Sequence, residues 1–544
     1  MKIIRTQKLI AAALFCTTAI SGVNAQENHR TPDRVESSIG TLEYKDGAPS
    51  KETLTKAYDY LDLMHGVEAF VNAYQGASVA SLFKGFNDAG VANNTALIFS
   101  EIMDAKSLFI TANADTVYFW VNLDVSAGPM VVETPPMSLG VVDDMWFQWI
   151  TDFGLPGPDR GAGGKYLFLP PGYSGEVPEG GYFVKHMRTT RATLLGRSFL
   201  EKNDPKPVQE LIKKTLKVYP YFPGGYGTSI GSALQGKATL ARTPDHKLDW
   251  AFLQPKEPVK FTEGTGKVMN TIPPNDFSYF EMLDDLVQKE PLGALDPEIM
   301  GSLAAIGIVK GKPFNPDERM KKILTDAAAI GTSISRTLNW KPRAAEGWAY
   351  YPDSAWVNPL FTSGYNLETP PPEVSADGKI TVNPPTGART LNARTWMFFA
   401  YTFISPAMIM RLQDIGSQYL LGYVDSKGEY YDGNKTYKVT LPKDIPAGKF
   451  WSFTLYDNQT RSMLDTPQRY PRAGSQSYPT PAAETSADGS TTVYFGPAKP
   501  DGVSAGNWIQ TDPKKGWFTV LRLYSPLEPF FTKEWRPSEV ELVN

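Results

Sequence analysis

Residues 449–457, with the sequence KFWSFTLYD, constrain the fold more than any other stretch of the chain. The segment has no Gly or Pro, is rich in aromatic residues and Thr, and ends at Asp457 before Asn458, so it is predicted to be a β-strand that runs into a turn. Successive side chains point to opposite faces, and neither face here is polar enough to be a solvent face. Two interpretations stay open: the strand is covered on both sides, or the face with Ser452, Thr454 and Tyr456 lines a cavity.

A second strand is predicted over residues 116–125, where the alternation is most regular. Its odd-numbered positions are all apolar and indicate the face toward the core. Its even-numbered positions include Tyr118, Trp120 and Asn122, which combine aromatic area with hydrogen-bonding groups. Such a surface suits a carbohydrate or a small organic molecule, so these three are candidate binding residues. The alternative is that another sheet covers this face.

Arg522 is the most informative charge in the sequence, because it lies on an apolar face of a strand predicted over residues 517–524. A buried guanidinium without a partner is costly, so acceptors are expected nearby. The predicted partners are Asp457, Asp465 and Tyr456. Two roles stay open for Arg522: a buried ion pair that fixes strand register, or an anion fork for a substrate carboxylate or sulfate.

The first 25 residues have a basic start, an apolar run over residues 9–20 and small residues before position 26. This pattern predicts a secretory signal that is cleaved after Ala25, and hence a periplasmic or secreted protein. The single cysteine, Cys16, lies inside this signal. A mature chain without thiols excludes cysteine nucleophiles, thiolate metal sites and disulfides.

Charge and hydropathy bear on the partners of the protein. The formal net charge is −4, and the sequence has no basic cluster interleaved with aromatic residues, which argues against a nucleic-acid partner. No apolar run after the signal reaches membrane-spanning length, so a mature protein without a transmembrane segment is expected. No cofactor and no metal site is predicted, and a homo-oligomer is compatible with the sequence.

The C-terminal part of the sequence contains the motifs GKFWSFTLYDN at 448–458, RY at 469–470, DGS at 488–490, NW at 507–508 and VLRLY at 520–524. Together these motifs resemble DUF1214, a bacterial family of unknown function. Upstream, NADTVY at 113–118 and LDVSAGP at 123–129 resemble its usual companion, DUF1254. The resemblance implies that two regions pack together as one unit. It implies no activity, because none is assigned to the family.

The chain is predicted to be mainly β with α insertions, as two β domains joined by a helical block. The high Gly and Pro counts, 46 and 44, favour short strands joined by turns, and the C-terminal region is predicted to be an antiparallel sandwich or jelly roll. The predicted segments are a signal at 1–25, a flexible stretch at 26–50, a helix and DUF1254-like β domain at 51–200, a mostly helical connection at 201–345, a Pro- and aromatic-rich linker at 346–374, and a DUF1214-like β domain at 375–544.

Two functional hypotheses follow. The first is an exported protein that binds a carbohydrate or a small aromatic or anionic organic molecule; the predicted contacts are Tyr118, Trp120, Asn122 and Tyr456, with Arg522, Arg469 and Asp457 as polar anchors. The alternative is an exported hydrolase or lyase in which Asp115, Asp457 or Asp465 is the general base. In that case Arg522 stabilises the developing anion. The hypotheses differ in whether titratable groups converge in one pocket.

Overall fold

The computed structural model describes residues 32–178, 180–221, 234, 256–341, 347–370, 373–374 and 379–543. The predicted signal and its cleavage site lie outside the described residues. By its internal packing the chain divides into two compact units, residues 1–62 and residues 63–544.

The described part of the first unit is a small antiparallel sheet followed by the start of a helix. Its strands are β1 (Arg34–Ser37), β2 (Gly40–Lys45) and β3 (Ala48–Pro49). The Ser50 hydroxyl accepts a hydrogen bond from the Thr53 backbone N–H at 3.1 Å and so caps the helix that begins at Lys51. The stretch predicted to be flexible therefore contains three strands, which are too short to give a periodic signal in the sequence.

The described residues form nine α-helices. They are α1 (Lys51–Asn72), α2 (Tyr74–Asp88), α3 (Lys206–Thr215), α4 (Ser278–Lys289), α5 (Pro297–Ala305), α6 (Glu318–Trp340), α7 (Leu391–Ala400), α8 (Pro406–Ile409) and α9 (Glu528–Phe531). The Asp317 carboxylate caps α6 by accepting from the Met320 N–H at 2.8 Å. None of these described helices joins the length to the apolarity that a membrane span requires.

The N-terminal β region contains two main sheets. Its strands are β4 (Ala96–Ile98), β5 (Ser107–Leu108), β6 (Val117–Asp124), β7 (Met130–Glu133), β8 (Leu139–Asp144), β9 (Trp149–Gly154), β10 (Lys165–Leu169), β11 (Phe183–His186), β12 (Arg191–Ser198), β13 (Lys217–Pro220), β14 (Phe261–Glu263) and β15 (Met269–Asn270). The larger sheet has the order β14-β4-β6-β12-β8-β9 and the smaller the order β11-β10-β7-β13. The strand predicted at 116–125 is thus β6, an inner strand of the larger sheet.

The C-terminal β region contains a sandwich of two four-stranded sheets and a separate two-stranded sheet. Its strands are β16 (Glu373–Val374), β17 (Ile380–Thr381), β18 (Ser417–Gly422), β19 (Tyr437–Leu441), β20 (Ala447–Asp457), β21 (Arg472–Gly474), β22 (Thr491–Gly496), β23 (Trp508–Gln510), β24 (Trp517–Pro526) and β25 (Glu541–Leu542). The sheets have the orders β18-β24-β20-β21 and β23-β22-β19-β25, and Phe453, Leu521 and Val439 pack between them. The predicted fold class, mainly β with α insertions, is confirmed.

Strand β20 is buried on both faces. On one face Trp451, Phe453 and Leu455 belong to the sandwich core. On the other face the Ser452 hydroxyl donates to the Asp115 carboxylate at 2.6 Å. The N-terminal and C-terminal β regions are therefore in direct contact across this strand, within the second compact unit.

Candidate functional site

A cavity of about 150 Å³, called the inter-sheet cavity below, lies between the larger N-terminal sheet and the sheet that contains β18 and β24. Strand register explains its floor. One rung of side chains crosses four strands in the order Trp120, Leu195, Val141 and Asp152. Tyr118 and Arg197 are paired two residues further along β6 and β12, so they share that face. All six of these residues line the cavity.

The opposite wall comes from β18 and β24. Arg522 is the register partner of Tyr419, and Ser417 lies two residues before Tyr419 on the same face. All three line the cavity. Several lining residues of segment 405–416 border the mouth, where Ile415 is 49% exposed, so the cavity opens to solvent on that side.

Arg522 is buried, with 2% of its surface exposed, but its partners are not carboxylates. Its Nη1 donates to the Thr454 hydroxyl at 3.2 Å and its Nη2 to the Thr111 carbonyl at 2.8 Å. Its guanidinium carbon lies 5.6 Å from the ring centroids of Tyr419 and Tyr456. Burial lowers the pKa of Arg522, but tyrosine and aspartate neighbours more than offset it, so the pKa lies above its ordinary value and the group stays charged.

Two of the predicted partners of Arg522 are wrong. Asp457 accepts from Lys515 Nζ at 2.6 Å and from backbone N–H groups of its own turn. Asp465 forms an ion pair with Lys106 at 3.0 Å. Neither acid lines the inter-sheet cavity. The reason is local: an Asp at the end of a strand satisfies the N–H groups of the following turn, and this turn carries the chain away from Arg522.

Thr111 holds Arg522 with a strained backbone. Its φ is +46°, a left-handed conformation that β-branched residues rarely adopt. Its N–H donates to the Arg461 carbonyl and its hydroxyl to the Ala400 carbonyl, both at 2.8 Å. Strain of this kind persists only where neighbouring contacts over-determine the conformation, and it clusters at functional sites. Its effect here is to aim a backbone carbonyl at a cavity-lining guanidinium.

Arg197 is the second cation of the cavity and is partly buried. Its Nη2 donates to the Ser417 hydroxyl at 3.0 Å, and Ser417 Oγ lies 2.7 Å from the Tyr419 hydroxyl. Within the described residues, neither Arg197 nor Arg522 has a carboxylate at ion-pair distance. Sequence reasoning missed Arg197, although it carries the same signal as Arg522: an arginine two residues after Leu195 on an apolar strand face.

The Tyr118 hydroxyl is oriented by a fixed amide. Asn113 Oδ1 accepts from the Asp115 N–H at 3.0 Å and from the Thr116 hydroxyl at 3.1 Å. These two bonds settle which way the amide faces, so Asn113 Nδ2 donates to the Tyr118 hydroxyl oxygen at 2.6 Å. Because that oxygen is an acceptor in this contact, the phenolic hydrogen of Tyr118 remains available for an acceptor inside the cavity.

Two more cavity-lining donors have no partner among the described residues. They are the indole N–H of Trp120, a residue that is 2% exposed, and the hydroxyl of Tyr401, a residue that is 6% exposed. A buried polar group without a hydrogen bond costs about 1–3 kcal/mol. A ligand with acceptor atoms in the cavity would remove that cost.

The two tyrosines on opposite sides of the cavity have opposite pKa shifts. Burial raises the pKa of Tyr118 above 10.0. Burial acts in the same direction on Tyr419, but the charges of Arg197 and Arg522, with hydrogen bonds from Ser417 and Arg197, lower its pKa to below 10.0. Titratable groups whose pKa values are driven apart in one pocket are candidates for acid and base roles.

Asp152 is an acid of the cavity floor that sequence reasoning missed. Burial raises its pKa to about 6, against the hydrogen bonds from the Ser405 hydroxyl and the Ala407 N–H and the charge of Lys185. A carboxyl group with this pKa can exchange protons near neutral pH. The sequence around Asp152 gives no signal, because its burial depends on a segment that is distant along the chain.

Asp115 lies behind the wall and does not line the cavity. It is fully buried, and its carboxylate accepts from Arg472 Nε at 2.5 Å, the Ser452 hydroxyl at 2.6 Å and the Tyr524 hydroxyl at 2.8 Å. Burial raises its pKa, but the charges of Arg472 and Arg522 prevail, so the pKa lies below 3.8. A carboxylate whose oxygens are occupied in this way is poorly placed to act as the predicted general base.

Three predicted binding residues also lie outside the cavity lining. Asn122 is buried one rung further along β6, Tyr456 packs behind Arg522, and Arg469 is half exposed. Arg469 forms an ion pair with Asp104 at 3.0 Å. The predicted site residues that the structure does bring together in the cavity are Tyr118, Trp120 and Arg522.

The inter-sheet cavity thus presents positive charge and hydrogen-bond donors to a small space. Among the described residues that line it, Asp152 is the only carboxyl group, and with a pKa of about 6 it is uncharged in mildly acidic solution. No three His, Cys, Asp or Glu residues of the described chain are grouped as ligands for a metal ion. The arrangement can hold an anion and, through Asp152 and Tyr419, can move a proton.

Two solved structures are similar to the chain over most of its length. One is a protein from Vibrio parahaemolyticus, with 17% identity and a TM-score of 0.49 over 89% of this chain and 100% of that chain. The other is an uncharacterized protein from Burkholderia cenocepacia, with 12% identity and a TM-score of 0.35 over 91% of this chain and 97% of that chain. No curated protein matches the sequence.

Two family models match the sequence in the order that the motifs implied. The model for DUF1254, a protein of unknown function, matches residues 93–220, and the model for DUF1214, also a protein of unknown function, matches residues 416–528. The cavity floor lies in the first region, and the wall formed by β18 and β24 lies in the second. The chain therefore contains a DUF1254 region followed by a DUF1214 region, both of unknown function.

Proposed function

We propose that this is an exported protein that binds a small aromatic organic anion, a carboxylate or a sulfate, in the inter-sheet cavity. One observation carries the proposal. Arg197 and Arg522 both line a small aromatic space, and within the described chain neither has a carboxylate at ion-pair distance. A buried charge without a counter-ion is costly, and a bound anion supplies the missing charge.

The hydrogen-bonding groups support an anion over a neutral ligand. Tyr118, Trp120 and Tyr401 each have a donor that no described group accepts, in addition to the two guanidinium groups. A carbohydrate carries donors and acceptors in similar number, so its hydroxyl hydrogens would face other donors here. Of the two ligand classes that the sequence suggests, the cavity favours the anionic organic molecule.

The size and walls of the cavity support a single aromatic ring. A cavity of about 150 Å³ lined by apolar groups is large enough to bind benzene in another protein, and the inter-sheet cavity has the same volume. The Tyr118 and Trp120 rings are stacked with centroids 5.9 Å apart and give one flat side. Benzoate and benzenesulfonate are therefore suitable probes.

Isothermal titration calorimetry at pH 6 with benzoate, benzenesulfonate and neutral benzyl alcohol tests the proposal. We expect both anions to bind at least about tenfold more tightly than the alcohol, because a charge-assisted hydrogen bond contributes about 1.5–3 kcal/mol. Arg197→Met should weaken benzoate binding. Arg469→Met is the matched control, because Arg469 is a surface arginine outside the cavity. Equal affinity for acid and alcohol, or equal losses in the two variants, would refute the proposal.

A second candidate function is a lyase-type proton transfer on the bound anion. It is favoured by one observation, the presence of Asp152 and Tyr419 in the same cavity as two arginines that can stabilise a developing anion. The test is deuterium exchange at the methylene carbon of phenylpyruvate in D₂O, followed by NMR. Acceleration over the spontaneous rate that Asp152→Asn abolishes would support catalysis, whereas no acceleration would leave a binding protein.

A further inference from the structure

We propose a second anion-binding site in a separate pocket of about 310 Å³, called the Arg394 pocket below. The residues that carry the argument are Arg188, Arg389, Arg394, Trp149, Tyr365 and Phe398. The ligand class that fits is a planar aromatic anion of two fused rings, larger than the ligand of the inter-sheet cavity. This site stands independently of the function proposed above.

Arg394 on α7 is the buried cation of the pocket, with 5% of its surface exposed. Its Nη2 donates to Asn72 Oδ1 at 2.6 Å, and its Nε has no partner among the described residues. Burial and then the like charge of Arg389 lower the pKa of Arg394 to about 10, against a weaker opposing effect of Asp296. The guanidinium is still charged at neutral pH, and its contacts are with an amide rather than an acid.

Two further arginines stand at the rim of the pocket. The Arg389 side chain is 37% exposed, donates to the Asn366 carbonyl at 2.8 Å and lies 3.7 Å from Glu368. The Arg188 side chain is 48% exposed and forms a 3.0 Å ion pair with Asp144. Because Glu368 is itself 36% exposed, Arg389 can turn toward an anion at low cost, whereas Arg188 is held by a buried carboxylate. The pocket therefore offers two fixed cations and one adjustable cation.

Aromatic rings provide flat walls beside these charges. The rings of Trp149 and Tyr365 meet edge to face with centroids 5.4 Å apart. The Phe147 and Phe398 rings are stacked at 5.6 Å with an interplanar angle of 5°. Cations placed next to aromatic faces select ligands that have both a negative group and a planar body. The lining also includes the Asp296 carboxylate, whose Oδ1 accepts from the Glu298 N–H at 2.9 Å as the cap of α5.

The Arg394 pocket is separated from the inter-sheet cavity by packed rings. Trp120 at the cavity lies 5.7 Å from Phe403, and Phe403 lies 5.2 Å from Phe147, with all distances between ring centroids. The two sites share no lining residue. Ligands in the two sites would therefore bind to different arginines, which allows the sites to be tested separately.

The test is a crossed titration of the full chain by calorimetry, with 2-naphthoate as the probe for the Arg394 pocket and benzoate as the probe for the cavity. We expect Arg394→Met to weaken 2-naphthoate binding at least about tenfold and to leave benzoate binding unchanged. Arg197→Met should weaken benzoate binding and leave 2-naphthoate binding unchanged. Arg394→Lys should retain part of the 2-naphthoate affinity that Arg394→Met loses, because it keeps the charge. Naphthoate binding that depends on Arg197 and not on Arg394 would overturn the proposal.

Two controls separate binding from folding. Arg389→Gln changes a rim residue that is well exposed, so it should leave the fold intact and still weaken 2-naphthoate several-fold. Without ligand, Arg394→Met should melt at the temperature of the unmodified protein or above it, because it removes a buried charge that has no acid partner. A lower melting temperature for Arg394→Met, together with unchanged naphthoate affinity in Arg389→Gln, would show that Arg394 is structural and that the site does not exist. A failure here does not affect benzoate binding in the cavity.

Discussion

Arginines on the same side of the C-terminal sandwich occur in two opposite settings. Arg472 is paired with Asp115, and that carboxylate also receives Ser452 and Tyr524, so its oxygens are fully engaged. Arg522 belongs to β24 of the same sheet, with β20 between it and the strand of Arg472, yet it lines a cavity and contacts a hydroxyl and a carbonyl. The buried charge of Arg472 is neutralised within the protein, and the pair connects the C-terminal region to the N-terminal region. The buried charge of Arg522 has no acid partner among the described residues, so an anionic ligand could pair with it.

The largest expected effect is the loss of stability when the buried ion pair of Arg472 and Asp115, called the closed pair below, is broken. Asp115→Ala leaves Arg472 as an uncompensated buried charge, so we expect the free energy of unfolding to fall by about 3–5 kcal/mol. Urea denaturation at pH 7 measures it. Asp465→Ala is the matched control, because its ion pair with Lys106 is half exposed and should contribute less than about 1 kcal/mol. Similar losses for the two variants would remove the distinction between the closed pair and surface ion pairs.

Arg522→Met should affect ligand affinity strongly and the free energy of unfolding only weakly, the reverse of Asp115→Ala. We expect benzoate affinity to fall about 30- to 150-fold, as for the loss of a buried charge-assisted contact of 2–3 kcal/mol. The free energy of unfolding should change by less than in Asp115→Ala, because no buried carboxylate loses its partner. Calorimetry and urea denaturation of the same sample give both values. If Arg522→Met destabilises the fold more than Asp115→Ala and benzoate still binds, Arg522 belongs with the closed pair.

Asp152 should make both the stability of the protein and ligand binding in the inter-sheet cavity depend on pH. Because its folded pKa, about 6, lies above its ordinary 3.8, its contribution to stability is present below about pH 4 and is lost as pH rises through 6. The lost stability is about 3 kcal/mol at most. The new negative charge should also lower benzoate affinity up to about tenfold between pH 5 and 7, and Asp152→Asn should remove this decline.

Asp144→Asn provides a control for that experiment. Burial also raises the pKa of Asp144 to about 6, but Asp144 does not line the inter-sheet cavity. We expect it to reduce the pH dependence of stability without changing that of benzoate binding. An identical effect of both variants on binding would mean that the pH dependence of affinity does not arise in the cavity.

The smallest expected effect distinguishes two tyrosines. Tyr118→Phe removes a hydroxyl hydrogen that is available to the ligand, so benzoate affinity should fall about fivefold, equivalent to about 1 kcal/mol. Tyr456→Phe removes a hydroxyl that donates to the Ala112 carbonyl at 2.6 Å behind the wall. It should lower stability by a similar amount and leave affinity unchanged. Calorimetric titration of both variants with benzoate measures the difference. A loss of affinity in Tyr456→Phe alone would mean that the Tyr456 hydroxyl, and not that of Tyr118, contacts the ligand.

Strand periodicity was sufficient to find part of the cavity. It placed Tyr118 and Trp120 on one face of β6 and identified Arg522 as buried, because alternation depends only on local geometry. The same pattern was present at Arg197 and would have found it. Periodicity also predicted the mainly β fold, although it did not predict α7 within the C-terminal segment.

The partners of charged residues could not be predicted in the same way. Asp457 ends β20, the strand beside that of Arg522, and Asp465 follows it, but the observed acceptors are Thr454 and the carbonyl of Thr111 in the N-terminal region. Which acid meets which base depends on how distant strands are packed. Asp152 was missed for the same reason, since only the covering segment makes it distinctive.

The register that carries Trp120 and Asp152 across one sheet, and Arg522 across another, has a consequence for inheritance. Each of the two regions supplies only part of the inter-sheet cavity: the upstream region forms its floor and the downstream region forms its opposite wall. Under the proposed function, a gene split between them would yield two polypeptides that bind the ligand only after they reassemble. Selection for that binding would then keep both halves in one reading frame.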